Sequence, residues 1–325
     1  MMRNLLKRSA NLLLSGFSFL RSSFDPHFTE AYGMPVAVNM ELSSYCNLKC
    51  PECATGSGMI KRPAGFMDID LFRKITEELG PYLYNMNLYY QGESMMHPRF
   101  FIFPESINGI PATLSTNGHF LAADPERLVK SGLRKLIVSV DGADQETYAA
   151  YRTGGNLDLV LKGLELVREA RAMTGSKMKV EIQTLLNSKN EKQIKELNKL
   201  AVRMNARLVL KSMQILHNER ISIWQPVNKS FRRYKEVNGE YTLKSSLPNG
   251  CARLWFNPVI TWDGRVLPCC FDKNAEHVMG DLKTDSFRDI WNGPRYRIFR
   301  REIAMDRKGI EICRNCTSGL RGVKH

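Results

Sequence analysis

The sequence contains no run that approaches the roughly 18 consecutive apolar residues of a membrane span, which excludes an ordinary transmembrane helix. Carboxylates are also scarce, since 33 Asp and Glu residues stand against 47 Lys and Arg, and the net charge is +14. Such an excess favours nucleic acid, an anionic membrane or an acidic substrate as a partner. No nucleic-acid-binding module is recognisable and the basic residues are spread along the chain, so a solvated basic surface is the simpler explanation.

Residues 1–33 lack the small-x-small cleavage site that follows the apolar part of a signal peptide. Basic residues are mixed here with leucine and phenylalanine, as in Lys7-Arg8 followed by Leu12-Leu13-Leu14. This composition predicts an amphipathic N-terminal helix. Two arrangements stay open, because the helix could lie on a membrane surface or pack against the rest of the protein.

The eight cysteines do not form the pattern of a disulfide-rich secreted protein. They fall into three groups, which are Cys46, Cys50 and Cys53, then Cys251, Cys269 and Cys270, then Cys313 and Cys316. This grouping is typical of metal ligation. An exposed metal cluster on thiolates requires reducing conditions, so we expect a cytoplasmic protein.

The first group has the spacing C-x3-C-x2-C and follows an apolar run, residues 36–42. Three thiolates on one loop can hold three corners of a four-iron cluster and leave one iron open, as a catalytic site requires. Two other interpretations remain at this point. Cys50-Pro51-Glu52-Cys53 could be a redox pair, which leaves Cys46 unexplained, or the three cysteines could bind zinc with a ligand from elsewhere.

Strand-like and helix-like segments alternate from residue 36 onward, which is typical of a parallel sheet. The six predicted strands cover residues 36–42, 85–90, 112–115, 136–140, 179–185 and 207–211. The helices between them cover 68–79, 125–131, 157–171 and 191–204. The predicted fold class is therefore α/β, a partial (β/α)6 TIM-like barrel over 34–215, with reactive groups at the carboxyl ends of its strands. Residues 216–250 show little periodicity and are predicted to be a connector or lid.

Polar residues follow several of these strands. Gly92 and Glu93 come after the second, where glycine permits close approach and a carboxylate can accept hydrogen bonds from an ammonium group. Asn117 precedes Gly118 in a segment that also has the sequence of a plain turn. Beyond the fourth strand, Arg152 offers a planar fork of donors that suits a carboxylate.

The three-cysteine loop resembles the signature of the radical S-adenosylmethionine (radical SAM) enzymes. In that family the open iron binds the methionine moiety of S-adenosylmethionine, and reductive cleavage yields a 5′-deoxyadenosyl radical that abstracts hydrogen from a substrate. Many members carry an aromatic residue near the adenine where this chain has Glu52. The resemblance implies the electron donor, a flavodoxin or ferredoxin.

The resemblance also implies cofactor-binding roles for six residues. Gly92 and Glu93 match the motif that binds the amino group, although Gln91 and Ser94 depart from its usual Gly and Pro. Ser139 and Arg152 match a pair that contacts the ribose or the carboxylate. Asn117 and Gln183 stand where the family places further polar contacts, and local structural hydrogen bonding is the alternative for both.

The last part of the chain, residues 251–325, is predicted to be a small hairpin-plus-helix domain. Asp263-Gly264 between apolar runs predicts the hairpin turn, and residues 286–306 predict one helix. Cys251, Cys269, Cys313 and Cys316 suffice to close a metal site, for which zinc is the alternative to iron. Cys269 and Cys270, as neighbours on a predicted strand, point to opposite faces, so one of them ligates.

This region resembles the SPASM auxiliary-cluster domain in its short, twitch-like form. A full SPASM domain has seven cysteines and two clusters, whereas this chain has five beyond the first motif, so one auxiliary [4Fe-4S] cluster is expected, with Cys269 as the ligand. The resemblance implies an oxidoreductase that oxidises a small, carbohydrate-derived molecule by two electrons. A peptide-modifying maturase and a catalytically inactive metal-binding module on nucleic acid or membrane are the alternatives. No residue is identified as a catalytic acid or base.

Overall fold

The computed structural model describes residues 2–107, 109–316 and 318, and side chains from residue 5 onward. Its strands, in chain order, are β1 Ala37–Met40, β2 Asn85–Asn87, β3 Ala112–Thr116, β4 Leu133–Ser139, β5 Lys179–Leu186, β6 Arg207–Ser212, β7 Tyr234–Val237, β8 Glu240–Leu243, β9 Val259–Ile260, β10 Arg265–Leu267 and β11 Gly280–Asp281. Its α-helices are α1 Met2–Phe24, α2 Ile69–Leu79, α3 Ile102–Glu105, α4 Pro125–Lys130, α5 Gln145–Tyr151, α6 Leu157–Thr174, α7 Ile194–Arg203, α8 Ile221–Trp224, α9 Arg253–Phe256, α10 Phe287–Trp291, α11 Pro294–Asp306 and α12 Glu311–Arg314.

The six predicted barrel strands form in order and run parallel, β1 to β6, each paired with its sequence neighbour. Helices connect most of them, as parallel strands need crossover connections. Side-chain caps explain where those helices begin. At the start of α2, the Asp68 side chain accepts from the N–H groups of Asp70 and Leu71. Helices α4, α5 and α6 are capped in the same way by Asp124, Asp144 and Asn156. The α/β partial barrel is therefore confirmed.

The C-terminal hairpin does not form a separate sheet. β9 pairs in parallel with β1, β10 pairs with β9, and β11 with β10, so over the described residues one sheet of nine strands runs β11-β10-β9-β1-β2-β3-β4-β5-β6. The barrel's first strand is thus an inner strand of this sheet. The domain boundaries predicted after residues 33, 215 and 250 stay predictions.

Two local predictions need correction, and further elements had not been predicted. Residues 286–306 form two helices, because Gly293 interrupts the segment and Pro294, which has no N–H to donate, starts the second helix. The connector 216–250 contains the hairpin β7–β8, whose turn residues Asn238 and Gly239 both have positive φ. Helix α5 was not predicted. Finally, β10 ends at Leu267, so the alternation of strand faces does not apply to Cys269 and Cys270.

Candidate functional site

The loop that carries Cys46, Cys50 and Cys53 begins one residue after β1, at the carboxyl end of the sheet. Cys50 is buried, and the other two are half-buried. Burial raises the pKa of the Cys46 thiol, and it raises the pKa of Cys50 to about 11. A bound metal would offset this cost, because metal ligation holds cysteine as the thiolate.

Gly92 and Glu93 pack directly under this loop. Gly92 has φ of +73°, and a Cβ there would lie 2.5 Å from the carbonyl oxygen of Ser43 and 2.7 Å from that of Tyr45. The N–H of Glu93 donates to the same Tyr45 oxygen at 2.7 Å. Only glycine allows so close an approach in this conformation, so the partial family motif is in contact with the cysteine loop.

The Glu93 carboxylate joins the ends of two strands. Its Oε1 accepts from the N–H of Met95 at 3.1 Å, and its Oε2 accepts from the N–H of Asn117 at 2.7 Å. Burial raises the pKa of Glu93, and these backbone donors oppose the rise. Each oxygen can accept a second hydrogen bond, which leaves room for an ammonium group. Binding of that group by Glu93 stays a prediction.

Asn117 reaches the cysteine loop from the end of β3. Its Nδ2 donates to Oδ1 of Asn47 at 2.7 Å and lies 4.0 Å from Sγ of Cys46. Sequence reasoning missed His119, whose Nε2 accepts from the N–H of Asn156 at 2.9 Å and whose Nδ1 lies 3.0 Å from Oδ1 of Asn117. Nδ1 therefore carries the proton and orients the Asn117 amide. The sequence Asn117-Gly118-His119 predicts only a turn, so it does not indicate these hydrogen bonds of His119.

Arg152 is paired with a residue that the sequence did not single out. Its Nε donates to Oδ2 of Asp141 at 2.6 Å, and the Asp141 side chain is fully buried. The other oxygen, Oδ1, accepts from the N–H of Leu185 at 2.6 Å. Burial acts to lower the pKa of Arg152, but Asp141 and Cys50 outweigh it and the pKa is raised. The guanidinium thus stays charged beside the cysteine loop.

Ser139 and Gln183 are register partners on the adjacent strands β4 and β5. Ser139 is buried, and Gln183 is half-buried. Within the described part of the chain, no hydrogen bond joins either side chain to the cysteine loop. The structure therefore brings Gly92, Glu93, Asn117 and Arg152 close to the cysteines, and places Ser139 and Gln183 together at the neighbouring strand ends.

Glu52, between Cys50 and Cys53, is buried and fixes the loop to the segment after β6. Its Oε2 accepts from the N–H of Leu216 at 2.7 Å, and Oε1 lies 3.6 Å from Arg220. Oε1 makes no hydrogen bond within the described residues. The residue that replaces the family's aromatic side chain is thus a link between two loops.

The C-terminal cysteines lie in a more enclosed place than the first group. Cys269, Cys313 and Cys316 are buried, and Cys251 is half-buried. Burial raises the pKa of Cys269 well above its ordinary value, and the neighbouring Cys270 and Cys251 raise it further. The Nη2 of Arg307 donates to Sγ of Cys316 at 3.5 Å. A guanidinium at this distance favours a thiolate.

Cys270 interacts electrostatically with residues outside the predicted ligand set. It is half-buried, and it raises the pKa of the Arg253 guanidinium more than any other group does. It also adds to the effect of burial in raising the pKa of Tyr89 to about 12. Cys269 matches the spacing of the predicted ligand set, and that assignment stays a prediction.

The donor chemistry of both groups fits iron–sulfur clusters. No three His, Cys, Asp or Glu side chains converge on a single metal position in the part of the chain that the structure describes. A four-iron cluster does not require such convergence, because each thiolate binds a different iron.

Two cavities frame the strands. One of about 200 Å³ lies between the cysteine loop, at Ala54 and Met59, and the C-terminal part, at Phe271 and Ile312. A larger one, about 660 Å³, is lined by basic residues at the opposite, amino ends of the strands, among them Lys179 and Arg207. The smaller cavity borders the cysteine loop, and a third, of about 480 Å³, is lined in part by Cys313 of the C-terminal group.

Comparison with known proteins agrees with this geometry. Residues 40–203 match the Radical SAM superfamily, and residues 251–317 match SPASM, an iron–sulfur cluster-binding domain. The chain belongs to the radical SAM superfamily. Its cofactors are accordingly [4Fe-4S] clusters and S-adenosylmethionine. No helix among the described residues is long and apolar enough to cross a membrane.

Curated relatives of this radical SAM protein are distant. The AdoMet-dependent heme synthase of Methanosarcina barkeri is 28% identical over 176 residues, 53% of this chain and 48% of the relative. The chain thus spans about half the length of that synthase. The tungsten-containing aldehyde ferredoxin oxidoreductase cofactor-modifying protein of Pyrococcus furiosus is 24% identical over 298 residues, 80% of this chain and 82% of the relative.

Two solved structures share the fold. BtrN in complex with AdoMet and 2-DOIA superposes with a TM-score of 0.55 at 20% identity, covering 90% of this chain and 97% of BtrN. Streptococcus suis SuiB bound to the precursor peptide SuiA has a TM-score of 0.62 at 17% identity, covering 89% of this chain and 71% of SuiB.

Proposed function

We propose that this radical SAM enzyme is an oxidoreductase that removes two electrons from a small, carbohydrate-derived alcohol. The observation that carries the proposal is the pairing of an incomplete three-cysteine loop with one enclosed set of four cysteines. The first leaves an iron open for S-adenosylmethionine, and the second suits a fully ligated cluster that exchanges electrons.

When bound, the first cluster and S-adenosylmethionine supply the 5′-deoxyadenosyl radical, and the second cluster supplies an acceptor for one electron. Oxidation of an alcohol carbon to a carbonyl releases one hydrogen atom, one electron and one proton. The first cofactor would supply the acceptor for the hydrogen atom, the second the acceptor for the electron, and solvent would take the hydroxyl proton, so the balance of two electrons closes.

This chain's own residues would bind and orient the cofactor. We assign Cys46, Cys50 and Cys53 to the first cluster, and Cys251, Cys269, Cys313 and Cys316 to the second. Gly92 and Glu93 would hold the amino group, Ser139 and Arg152 the ribose or carboxylate, and Asn117 and Gln183 further polar atoms. Asp141 would keep Arg152 in place.

Direct hydrogen bonds hold the two cluster regions together, so a substrate bound between them could reach both. Arg62, which follows the cysteine loop, forms a buried ion pair with Glu41 and donates to the carbonyl oxygen of Lys273 at 3.2 Å. The N–H of Lys61 donates to Asn274 at 2.8 Å, and Tyr90 donates to the carbonyl oxygen of Asp272. These contacts fix the loop against the segment that follows Cys270.

A peptide-modifying maturase is the second candidate, since SuiB was solved with the precursor peptide SuiA. The cavity of about 200 Å³ beside the cysteine loop admits only a small molecule, whereas the cavity of about 480 Å³ at Cys313 keeps the peptide as the second candidate. The net charge of +14 favours an acidic electron donor such as flavodoxin or ferredoxin. Because thiolate-bound clusters need reducing conditions, we place the enzyme in the cytoplasm.

The test uses anaerobically reconstituted full-length protein with S-adenosylmethionine and dithionite. We expect 5′-deoxyadenosine in step with substrate when a pool of amino sugars and polyols is added, and a product two mass units lighter than its substrate. A peptide pool from the same cells serves as the competing substrate. Stimulation by peptides alone would replace the small-molecule proposal, and bound zinc without deoxyadenosine would refute the enzyme altogether.

A further inference from the structure

Helix α1 packs against the rest of the protein through its polar face. Asn11 exchanges two hydrogen bonds with the backbone of Met34, at 2.9 and 2.7 Å, and Ser15 donates to the carbonyl oxygen of Met34 at 2.9 Å. The N–H of Tyr32 donates to Ser18 at 2.9 Å. Gly33 allows this closeness, because a Cβ there would lie 2.2 Å from Oγ of Ser15.

The opposite face of α1 carries large apolar side chains in solvent. Phe24 is 84% exposed, Leu13 is 75% exposed and Leu6 is 66% exposed. A surface helix of a globular protein normally shows the reverse arrangement, with apolar residues inward and polar residues outward. Contiguous exposed apolar surface of this kind indicates an interaction site.

The exposed residues form a continuous stripe. Leu6, Leu13, Phe17, Leu20 and Phe24 follow one another at intervals of seven, four, three and four, which places them on one side of an α-helix. Leu5, Leu12 and Leu14 are also exposed and widen the stripe on both sides. The helix has 23 residues and is therefore about 35 Å long.

The charged residues of α1 itself are all of one sign. Residues Met2–Phe24 include Lys7, Arg8 and Arg21 but no Asp or Glu. Lys7 lies over the ring of Tyr82 at 4.6 Å, and Arg21 lies over the ring of Phe28 at 4.5 Å. Both cations are thus held beside the apolar stripe, where headgroups would lie if the stripe entered a lipid layer.

We propose that the apolar face of α1 binds an anionic lipid surface and lies in its interface. Apolar burial together with basic flanks is the combination that binds interfacial helices to anionic lipid. A second copy of this chain fits less well, because two such helices would place basic residues against basic residues. The exposed stripe is also broader than the two-position seam of a coiled coil.

The experiment is flotation of full-length reconstituted protein with vesicles of phosphatidylcholine, alone or with about 30 mol % phosphatidylglycerol. We expect strong binding to the anionic vesicles, weaker binding to the neutral ones, and a decrease with salt. The variant Leu13→Glu/Phe17→Glu should lose at least tenfold in binding. Met173→Glu/Val202→Glu is the matched control, because those residues are 84% and 71% exposed on other helices, and it should bind like wild type.

A second variant keeps the test decisive if the first does not fold. Lys7→Gln/Arg21→Gln should weaken binding to anionic vesicles by about fivefold for each charge and leave binding to neutral vesicles unchanged. Equal, salt-independent binding to both vesicles would overturn the proposal. An absence of binding would overturn it as well. If ultracentrifugation instead shows a concentration-dependent dimer, and Leu13→Glu/Phe17→Glu abolishes that dimer, the apolar face binds a second copy of the chain and the lipid proposal is wrong. None of these readouts uses catalysis.

Discussion

The two cysteine regions of this radical SAM enzyme differ in enclosure and in their polar neighbours. The first group lies on a loop of one short segment, and two of its three thiols are half-buried. The second group joins residues that lie up to 65 positions apart, from Cys251 to Cys316, and three of its four proposed ligands are buried. A site that binds a cofactor must be reached from outside, whereas a site that only exchanges electrons gains from enclosure.

The cysteine variants separate the two regions most strongly. Wild-type protein should bind about eight irons, and the triple variant Cys46→Ala/Cys50→Ala/Cys53→Ala about four, with no 5′-deoxyadenosine formed. Cys313→Ala/Cys316→Ala should also bind about four irons but still cleave S-adenosylmethionine, without oxidised product. Iron analysis and product chromatography measure both. Deoxyadenosine from the triple variant would remove the first loop from the chemistry.

Gly92→Ala tests the close contact below the first loop. Because the added Cβ would meet the Ser43 and Tyr45 oxygens, we expect cleavage of S-adenosylmethionine to fall by about 100-fold, as a misplacement of about 1 Å does. Gly175→Ala is the matched control, since φ there is +65° but nothing lies within 4 Å. It should cost about 1 kcal/mol of stability, because alanine is strained in the left-handed conformation, and leave the rate unchanged. Equal rates in both variants would contradict the assigned role.

Asp141→Asn tests the buried charge beside the first loop. The variant leaves Arg152 without its buried carboxylate, so we expect the free energy of unfolding to fall by about 3 kcal/mol. Denaturation of the cluster-loaded protein measures this. Glu126→Gln, which removes an exposed, solvent-screened ion pair with Lys130, should leave the free energy of unfolding almost unchanged. A similar loss in the two variants would show that the buried pair is not important for stability.

The smallest expected effect concerns pH. Burial lowers the pKa of His119 below its ordinary 6.5, so the folded protein favours the neutral ring. This contribution is complete above pH 6.5 and is lost as the pH falls below that value, because the unfolded chain then binds the proton more readily. His119→Asn should therefore reduce the loss of stability between pH 7.5 and pH 5.5, which denaturation at the two pH values measures. An unchanged pH dependence would contradict a lowered pKa of His119 in the folded protein.

The order of the barrel strands was predictable because each strand is a local apolar segment bounded by turn residues. The positions of Gly92, Glu93 and Asn117 followed from the rule that parallel strands present their carboxyl ends together. The Asp141–Arg152 pair was not predictable, because Asp141-Gly142 has the sequence of an ordinary turn. The link from Glu52 to Leu216 and the pairing of β9 with β1 depend on distant segments, and no local pattern encodes them.

The pairing of β1 with β9 also has a consequence for how the molecule is made. Asn39 pairs with Val259, about 220 residues later in the chain. During synthesis, β1 therefore presents an unpaired edge until the C-terminal segment has left the ribosome. The strand that leads into the first cysteine loop therefore has partners on both sides only after Val259 and Ile260 have been made. Iron loading of the first site would then follow the pairing of β1 with β9 rather than accompany synthesis of the barrel strands.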